Sequence, residues 1–431
     1  MTVERIMLGK DIYLNLIETD LFKTGHAGVN FFAPLGSEAA MNALLFKVLK
    51  RGSKNYPTMR DINCALDTLY SAKISSKIMK IGECQVFGLT ARFLDNKYVP
   101  DGEDIFSGVS AILHDILRNP VTDGESFYAD YIAGEKVNLK DEIDAQINNK
   151  NTYAIRRCHE IMCVGEAYAF NELGSIPEIE AIDGQKLYAH YKSVLSTCAI
   201  EVYYIGRMSI GREKIIEKFS AMFAGIERGS IRAVGTDVIR NTEYKGETIE
   251  EMPVNQGKLS LGFRSGTALT DAGYAEFVLF NEIYGASPSS KLFEHVRERL
   301  SLCYYCRSLP DAHKGLLVVA CGIENDKLET ARDEILAQLE AVKKGDFTES
   351  EIANAKAGLK NDYKAIYDSA VSLEMWYIGR RLAGSDKSPD QAAADVLAVD
   401  AEGIKKAAQK VTLDTLYFLK GTAAEEGEQD E

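Results

Sequence analysis

The sequence predicts an α+β protein built from two similar halves, each a mainly antiparallel sheet covered by helices. Three observations predict this fold class. Apolar residues recur at helical spacing in some stretches, whereas β-branched and aromatic residues cluster in others. A comparison of the chain with itself at an offset of about 234 residues gives matches in the same order. A polar, glycine-containing stretch lies between the two halves.

Each half contains a predicted helix with one apolar face. The apolar positions of these helices are Met41, Leu44, Leu45, Val48 and Leu49 in the first half, and Leu292, Phe293, Val296 and Leu300 in the second. Residues three or four apart lie on the same side of a helix, so each set lines one face. Predicted strands follow at residues 85–93 and 316–323, which are rich in β-branched and aromatic residues. Each half is therefore expected to pack helices against strands.

The internal matches predict a duplicated domain. Leu45-Phe46 falls on Leu279-Phe280, Tyr70 falls on Tyr304, and residues 82–92 lie opposite residues 315–324. Each half also ends with a short apolar strand followed by glycine, at residues 202–206 and 416–421. The predicted organisation is a first domain at residues 1–225, a linker at 226–255, a second domain at 256–421 and a disordered acidic tail at 422–431.

Composition limits the class of partner and the compartment. The chain has 431 residues, of which 46% are hydrophobic, and a net charge of -14 from 50 basic and 64 acidic side chains. This charge argues against a nucleic-acid or anionic-membrane surface, because both reward clustered cations. The first twenty residues or so show neither a basic region followed by an apolar core nor a membrane-spanning run. We therefore expect a cytoplasmic protein whose eight cysteines are reduced and mostly buried.

A motif in the second half suggests a substrate-binding site. Residues 289–293 (Ser-Ser-Lys-Leu-Phe) are followed by Val296-Arg297-Glu298 and Leu302-Cys303-Tyr304. This run resembles the second-domain signature of the insulinase/pitrilysin family, and the resemblance implies that Arg297 and Tyr304, seven residues apart, contact substrate. A guanidinium can donate to a peptide carbonyl and a phenol to a developing oxyanion. Spacing alone would instead favour a solvated arginine and a core tyrosine.

The corresponding zinc motif is missing from the first half. Family members that cleave peptides carry a His-x-x-Glu-His run on a helix, and that run aligns with residues 43–47, which place Ala43, Phe46 and Lys47 at its functional positions. A lysine ammonium at a ligand position repels a cation. The family's third ligand aligns, more loosely, with Glu142, and a lone glutamate does not hold zinc. The resemblance therefore implies that this chain binds no metal cofactor.

Two other constellations could bind metal. His159 and Cys163 lie four residues apart around a glutamate, as on a zincin helix, but a third ligand is not evident. Cys303 and Cys306 form a C-x-x-C without a second pair, in an apolar setting that predicts a strand. Alternate residues of a strand point to opposite faces, so these two thiols are expected to point apart.

The resemblance implies a place in a heterodimer. The family forms its active site from two homologous domain pairs that face each other as a clamshell, and this chain would form one half. It looks closest to the bacterial YmfF-like subgroup and similar in role to the alpha subunit of the mitochondrial processing peptidase. We expect a chain that is inactive alone, binds a peptide or unfolded protein, and completes the active site of a homologous partner that carries the zinc.

Two alternatives remain open at this point. One is a structural or peptide-binding homodimer with no catalytic role, like the peptidase-derived core subunits of the respiratory bc1 complex. The other is an independent metalloenzyme that uses His159 and Cys163.

Overall fold

A computed structural model describes residues 3–299 and 303–422, with the side chains of all of these except Asp101 and Tyr304. The described chain forms two compact units. The first unit contains the residues up to Asp144, Phe170–Gly235 and Asp368–Ile378, and the second contains Ala145–Ala169, Thr236–Tyr367 and the residues from Gly379 onward.

Both units contain helices and strands, which follow one another mostly in short runs. The strands are β1 (Val3–Gly9), β2 (Ile12–Glu18), β3 (Thr24–Pro34), β4 (Lys73–Ile81), β5 (Cys84–Leu94), β6 (Thr122–Asp123), β7 (Ser126–Phe127), β8 (Ala199–Gly206), β9 (Glu247–Met252), β10 (Gly257–Arg264), β11 (Cys303–Asp311), β12 (Leu316–Ile323) and β13 (Thr412–Gly421). The helices are α1 (Ala39–Leu49), α2 (Met59–Thr68), α3 (Ile105–Arg118), α4 (Ala129–Ala145), α5 (Lys150–Met162), α6 (Ile176–Glu180), α7 (Gly184–Thr197), α8 (Arg212–Phe223), α9 (Tyr274–Asn281), α10 (Leu328–Lys344), α11 (Glu349–Ala365), α12 (Ala370–Leu382), α13 (Pro389–Leu397) and α14 (Ala401–Gln409). Two π-helical segments, Glu282–Ala286 and Phe293–Arg299, follow α9.

The two main sheets share one strand order, apart from the extra edge strand β1 of the first sheet, which pairs with β2. The first sheet runs β1-β2-β8-β3-β5-β4 and the second runs β11-β12-β10-β13-β9. From β4 the first sheet makes three antiparallel pairs and then the parallel pair of β8 with β2. From β11 the second sheet makes three antiparallel pairs and then the parallel pair of β13 with β9. The predicted α+β class with mainly antiparallel sheets is confirmed, although the strands β1 to β4 were not individually predicted.

The central strand of the first sheet is buried on both faces. Ala27, Val29 and Phe31 face a core that also contains residues of α1, α3, α7 and α8. The alternate positions of β3 face the opposite way, because successive side chains of a strand point to opposite faces. There, His26 and Asn30 contact Glu374, which comes from the distant segment Asp368–Ile378.

The second sheet repeats this arrangement with a segment from the first half of the chain. Leu259, Leu261 and Phe263 of β10 face the main core of the unit. On the opposite face, Cys158 and Met162 of α5 approach Gly262, in a smaller apolar cluster with residues of β12 and β13. Each sheet is thus covered on one face by a segment that lies far away in sequence.

This exchange of segments changes the predicted domain boundaries. The predicted first domain, 1–225, includes residues 145–169, which belong to the second unit, while residues 368–378 from the predicted second domain belong to the first unit. The predicted linker, 226–255, contains β9, which pairs with β13. Composition could not reveal this because it does not show which sheet a segment covers. The predicted tail lies outside the described residues, apart from Thr422.

Candidate functional site

The helix that aligns with the zinc motif is present as α1, but its functional positions are part of the core. Ala43 is 3% exposed and Phe46 is 2% exposed. The Phe46 ring lies 5.2 Å from the ring of Phe31 and 5.7 Å from that of Phe87, measured between centroids. The position that would carry the general base is therefore occupied by an aromatic side chain that packs against the sheet.

Lys47 and Glu142, at two of the motif's ligand positions, bind each other. The Lys47 Nζ lies 2.5 Å from the Glu142 Oε1, which joins α1 to α4. A second ion pair joins Arg51, in the turn after α1, to Glu135 of α4. The ammonium thus supplies the positive charge that a metal ion would otherwise supply to Glu142. Glu142 is therefore the ion-pair partner of Lys47.

The alternative metal site at His159 and Cys163 gains no further ligand. Within the described ranges 3–299 and 303–422, no group of three or more His, Cys, Asp or Glu side chains is arranged to hold a metal ion. The His159 ring is edge-on to the Tyr168 ring at 5.5 Å between centroids. Burial raises the pKa of the Cys163 thiol to about 12, which keeps it protonated at neutral pH. Both side chains pack as structural residues.

Arg297 lies on the exposed side of the π-helical segment Phe293–Arg299. Val296 anchors this segment in the core at 0% exposure, whereas 42% of the Arg297 side chain is exposed. The Arg297 guanidinium lies 4.5 Å from the centroid of the Phe293 ring, and its Nε is 3.6 Å from the neighbouring Glu298 carboxylate. Such exposed contacts bind an arginine weakly. The guanidinium is therefore oriented by Phe293 but can still bind a ligand.

Tyr304 lies in β11, and its side chain is outside the described residues. The structure therefore shows where the backbone of this predicted site residue runs, without placing its phenol relative to Arg297.

The prediction that Cys303 and Cys306 point apart is wrong. The pairing of β11 with β12 shifts between these residues, so that Cys303 is opposite Ile323 and Cys306 is opposite Cys321. A bulge adds a residue to one strand and so changes the alternation of faces. Both thiols consequently pack against the same core, together with Cys321. Sequence reasoning missed Cys321 because it lies on another strand and belongs to no local motif.

Comparison with known proteins identifies the family of this chain. The domain described as "Peptidase M16 inactive domain" matches residues 181–359. The chain is 32% identical over 410 residues to the "Probable inactive metalloprotease YmfF" of Bacillus subtilis (strain 168), with 95% of each chain covered. The chain belongs to the M16, or insulinase, family of peptidases. Within that family it is similar to the inactive YmfF-like members.

Two further comparisons extend this result. The "Uncharacterized zinc protease YmxG" of the same bacterium is 24% identical over 245 residues, which cover 56% of this chain and 58% of YmxG. A crystal structure of a conserved protein from Enterococcus faecalis V583 matches with a TM-score of 0.88 and 25% identity, over 98% of this chain and all of that one. The fold is therefore shared over 98% of this chain, and one of its relatives is named as a zinc protease.

None of the described helices is long and apolar enough to cross a membrane.

Proposed function

We propose that this M16 chain is a subunit that is inactive alone, binds an extended peptide or unfolded segment, and completes the active site of a homologous zinc-bearing partner. The observation that carries the proposal is the contrast between the two motifs. In one, the Lys47 ammonium is bound to Glu142 at 2.5 Å. In the other, 42% of the Arg297 side chain is exposed, and its contacts with Glu298 and Phe293 are weak and local.

The chemistry of each motif supports this division of labour. A zinc peptidase needs three protein ligands and a base that activates the bound water. Ala43, Phe46 and Lys47 supply none of these groups. An exposed arginine and a tyrosine can bind a peptide carbonyl and stabilise the oxyanion without any metal of their own. Zinc would accordingly come from the partner. A relative of this chain that is named as a zinc protease is the kind of partner that the proposal requires.

Three further parts belong to the same proposal. We place the protein in the cytoplasm, where its eight free cysteines would stay reduced. We assign no nucleic-acid or membrane partner because of the net charge of -14. We also propose that the two halves arose by internal duplication, which the common strand order of the two sheets supports.

The experiment is co-expression of the full chain with a zinc-bearing M16 relative, followed by purification of the complex and assay with an internally quenched peptide. We expect hydrolysis by the complex and none by this chain alone. Arg297→Ala should lower kcat/KM by about tenfold or more, the effect of losing one charge-assisted hydrogen bond. Arg299→Ala is the matched control, because Arg299 is exposed on the same segment and pairs with Glu294.

Equal turnover of the assembled wild-type and Arg297→Ala complexes would contradict the substrate role. A homodimer that binds peptides and forms no active complex with any zinc-bearing relative would instead support the structural alternative. Zinc bound stoichiometrically to the purified chain alone would contradict the assignment of the metal to the partner.

A further inference from the structure

Three thiols meet in the second unit, next to the segment that carries Arg297. Cys306 is directly opposite Cys321 in the antiparallel pairing of β11 with β12. Cys303 reaches the same core because of the shift in pairing between Cys303 and Cys306. All three cysteines are free. The cluster therefore consists of one residue pair at cross-strand distance and a third thiol beside it.

The three thiols differ in access to solvent. Cys306 is 4% exposed and Cys321 is 0% exposed, whereas Cys303 is only partly buried. A reagent dissolved in water can therefore reach Cys303 before the other two. Directly opposed residues of an antiparallel pair have Cα atoms about 4.5–5.5 Å apart, which lies within the range that a disulfide spans. Cys306 and Cys321 are thus the pair best placed for a stable bond.

Hydrogen bonds among the three cysteines also make their thiols differ in pKa. Hydrogen bonds from Cys306 and Cys321 lower the pKa of Cys303, and the charge of Arg297 acts in the same direction. The same contact with Cys303 raises the pKa of Cys306 well above its ordinary value. Because the thiolate is the nucleophile in disulfide exchange, Cys303 is the thiol that should react first.

We propose that Cys303, Cys306 and Cys321 form a thiol–disulfide exchange site, in which Cys303 reacts with a low-molecular-weight disulfide and the product is a Cys306–Cys321 disulfide. The proposal concerns a modification site within the second unit and does not depend on the peptidase role. It takes a small oxidised disulfide, RSSR, as its co-reactant.

The steps balance as follows. The Cys303 thiolate attacks one sulfur of RSSR, whose S–S bond breaks, and RS⁻ leaves. Cys306 then attacks the Cys303 sulfur and the second RS⁻ leaves, while the Cys306 proton passes to a released thiolate. Finally Cys321 attacks the Cys306 sulfur and releases Cys303 again as a thiolate, while the Cys321 proton passes to the other released RS⁻. The net reaction converts two protein thiols and RSSR into one protein disulfide and two RSH.

The test treats the full, folded chain with oxidised glutathione, quenches free thiols with iodoacetamide and maps the products by tryptic digestion and mass spectrometry. Trypsin leaves Cys303 and Cys306 in residues 300–307 and Cys321 in residues 315–327. A Cys306–Cys321 bond therefore joins two peptides, whereas a Cys303–Cys306 bond stays within one. We expect the joined pair, with fragmentation spectra that place the bond on Cys306.

Variants separate the role of each thiol. Cys303→Ser should slow formation of the joined pair by about tenfold or more, since the remaining thiols are buried and protonated. Cys321→Ser should stop the reaction at a bond within residues 300–307 or at a glutathione adduct on Cys303. Cys64→Ser is the control, because Cys64 is exposed and outside the cluster, and should leave the rate unchanged.

Cys303→Ser alters a partly exposed side chain, and circular dichroism would verify that this variant is folded. Formation of the joined pair at the wild-type rate in Cys303→Ser would overturn the proposal. So would modification of Cys64 alone, with the three clustered cysteines still alkylated after oxidation.

Discussion

The two sheets are covered in the same way by distant segments, but different chemistry holds those segments. In the first unit, a Cβ added to Gly28 of β3 would lie 1.8 Å from the Oε1 of Glu374. In the second unit, a Cβ added to Gly262, about 234 positions later, would lie 2.2 Å from the Sδ of Met162. Both strands thus require glycine for the same reason, a close approach by the covering segment.

The contact at Gly28 is ionic. Glu374 is 1% exposed, and its carboxylate accepts hydrogen bonds from Asn30 at 2.9 Å and Lys77 at 2.8 Å, while His26 Nε2 lies at 2.8 Å. Burial by itself would raise the pKa of Glu374, but the charge of Lys77 and the contacts with His26 outweigh it and lower the pKa to about 2. This charge is therefore fully compensated within the first unit.

The contact at Gly262 is apolar, and the charges lie further along. Met162 and Cys158 pack with Val318 and Tyr417 at this position. Beyond the helix end, Glu166 of the same segment binds Arg264 at 2.7 Å and Lys314 at 2.7 Å. In both units a carboxylate of the covering segment pairs with cations of the sheet. The comparison shows that this carboxylate can lie at different places along the covering segment and still bind cations of the unit that the segment covers.

The largest effect should come from removing the Glu374 carboxylate. Glu374→Ala leaves the ammonium of Lys77 buried without a counter-charge, so we expect a loss of about 3–5 kcal/mol in the free energy of unfolding. Urea denaturation followed by circular dichroism measures it. Glu142→Ala is the matched control because its ion pair with Lys47 is half exposed on the glutamate side, and should cost less than about 1 kcal/mol. Equal losses would contradict the ionic assignment.

A smaller difference in stability is expected between the alanine substitutions of the two glycines. Gly28→Ala would have to displace a carboxylate held by three side chains, so we expect a cost near 3 kcal/mol, the upper end of typical overpacking values. Gly262→Ala meets a flexible thioether that can choose another rotamer, so we expect about 1 kcal/mol. Thermal unfolding of the two variants compares them directly. A larger loss in Gly262→Ala would reverse the proposed contrast.

The pH dependence of stability should differ between two buried glutamates. Because the pKa of Glu374 is about 2 in the folded chain against an ordinary 4.5, its contribution is present above pH 4.5 and is lost as the pH falls towards 2. Burial, followed by the charge of Asp362, raises the pKa of Glu282 to about 7. The stability linked to Glu282 is therefore present below pH 4.5 and is lost as the pH rises to 7.

Urea midpoints measured from pH 3 to 8 would test these opposite directions. Glu374→Gln should flatten the acidic arm of the profile, and Glu282→Gln should flatten the arm between pH 4.5 and 7. Profiles that keep the wild-type slope in either arm would contradict the assignment for that residue.

A small effect should also follow from Met162→Leu. Both side chains are apolar and of similar volume, so we expect a loss below about 1.5 kcal/mol, which calorimetry can measure. Met162→Gln would serve as the contrasting variant, because it places an amide in the apolar cluster and should cost more. If neither substitution lowered the stability, the apolar contact of Met162 would not be what holds the covering segment on the sheet.

Sequence alone determined the family, the α+β class and the absence of the zinc motif. Periodicity identified α1 and the strands β5 and β12, because buried faces impose a regular spacing on apolar residues. The identities of Ala43, Phe46 and Lys47 predicted, without any coordinates, that this helix holds no zinc. The arginine and tyrosine motif was visible as well, since its residues lie within one short stretch.

Only the tertiary structure decided which residues meet across long separations. Three features join positions that lie far apart in the chain. They are the ion pair of Lys47 with Glu142, the exchange of residues 145–169 and 368–378 between the units, and the burial of Glu374. A bulge in β11, which no residue pattern marks, brings Cys303, Cys306 and Cys321 to one face. Local sequence fixes periods and residue types. Contacts between distant segments depend on how sheets and helices pack, and only the folded structure shows that packing.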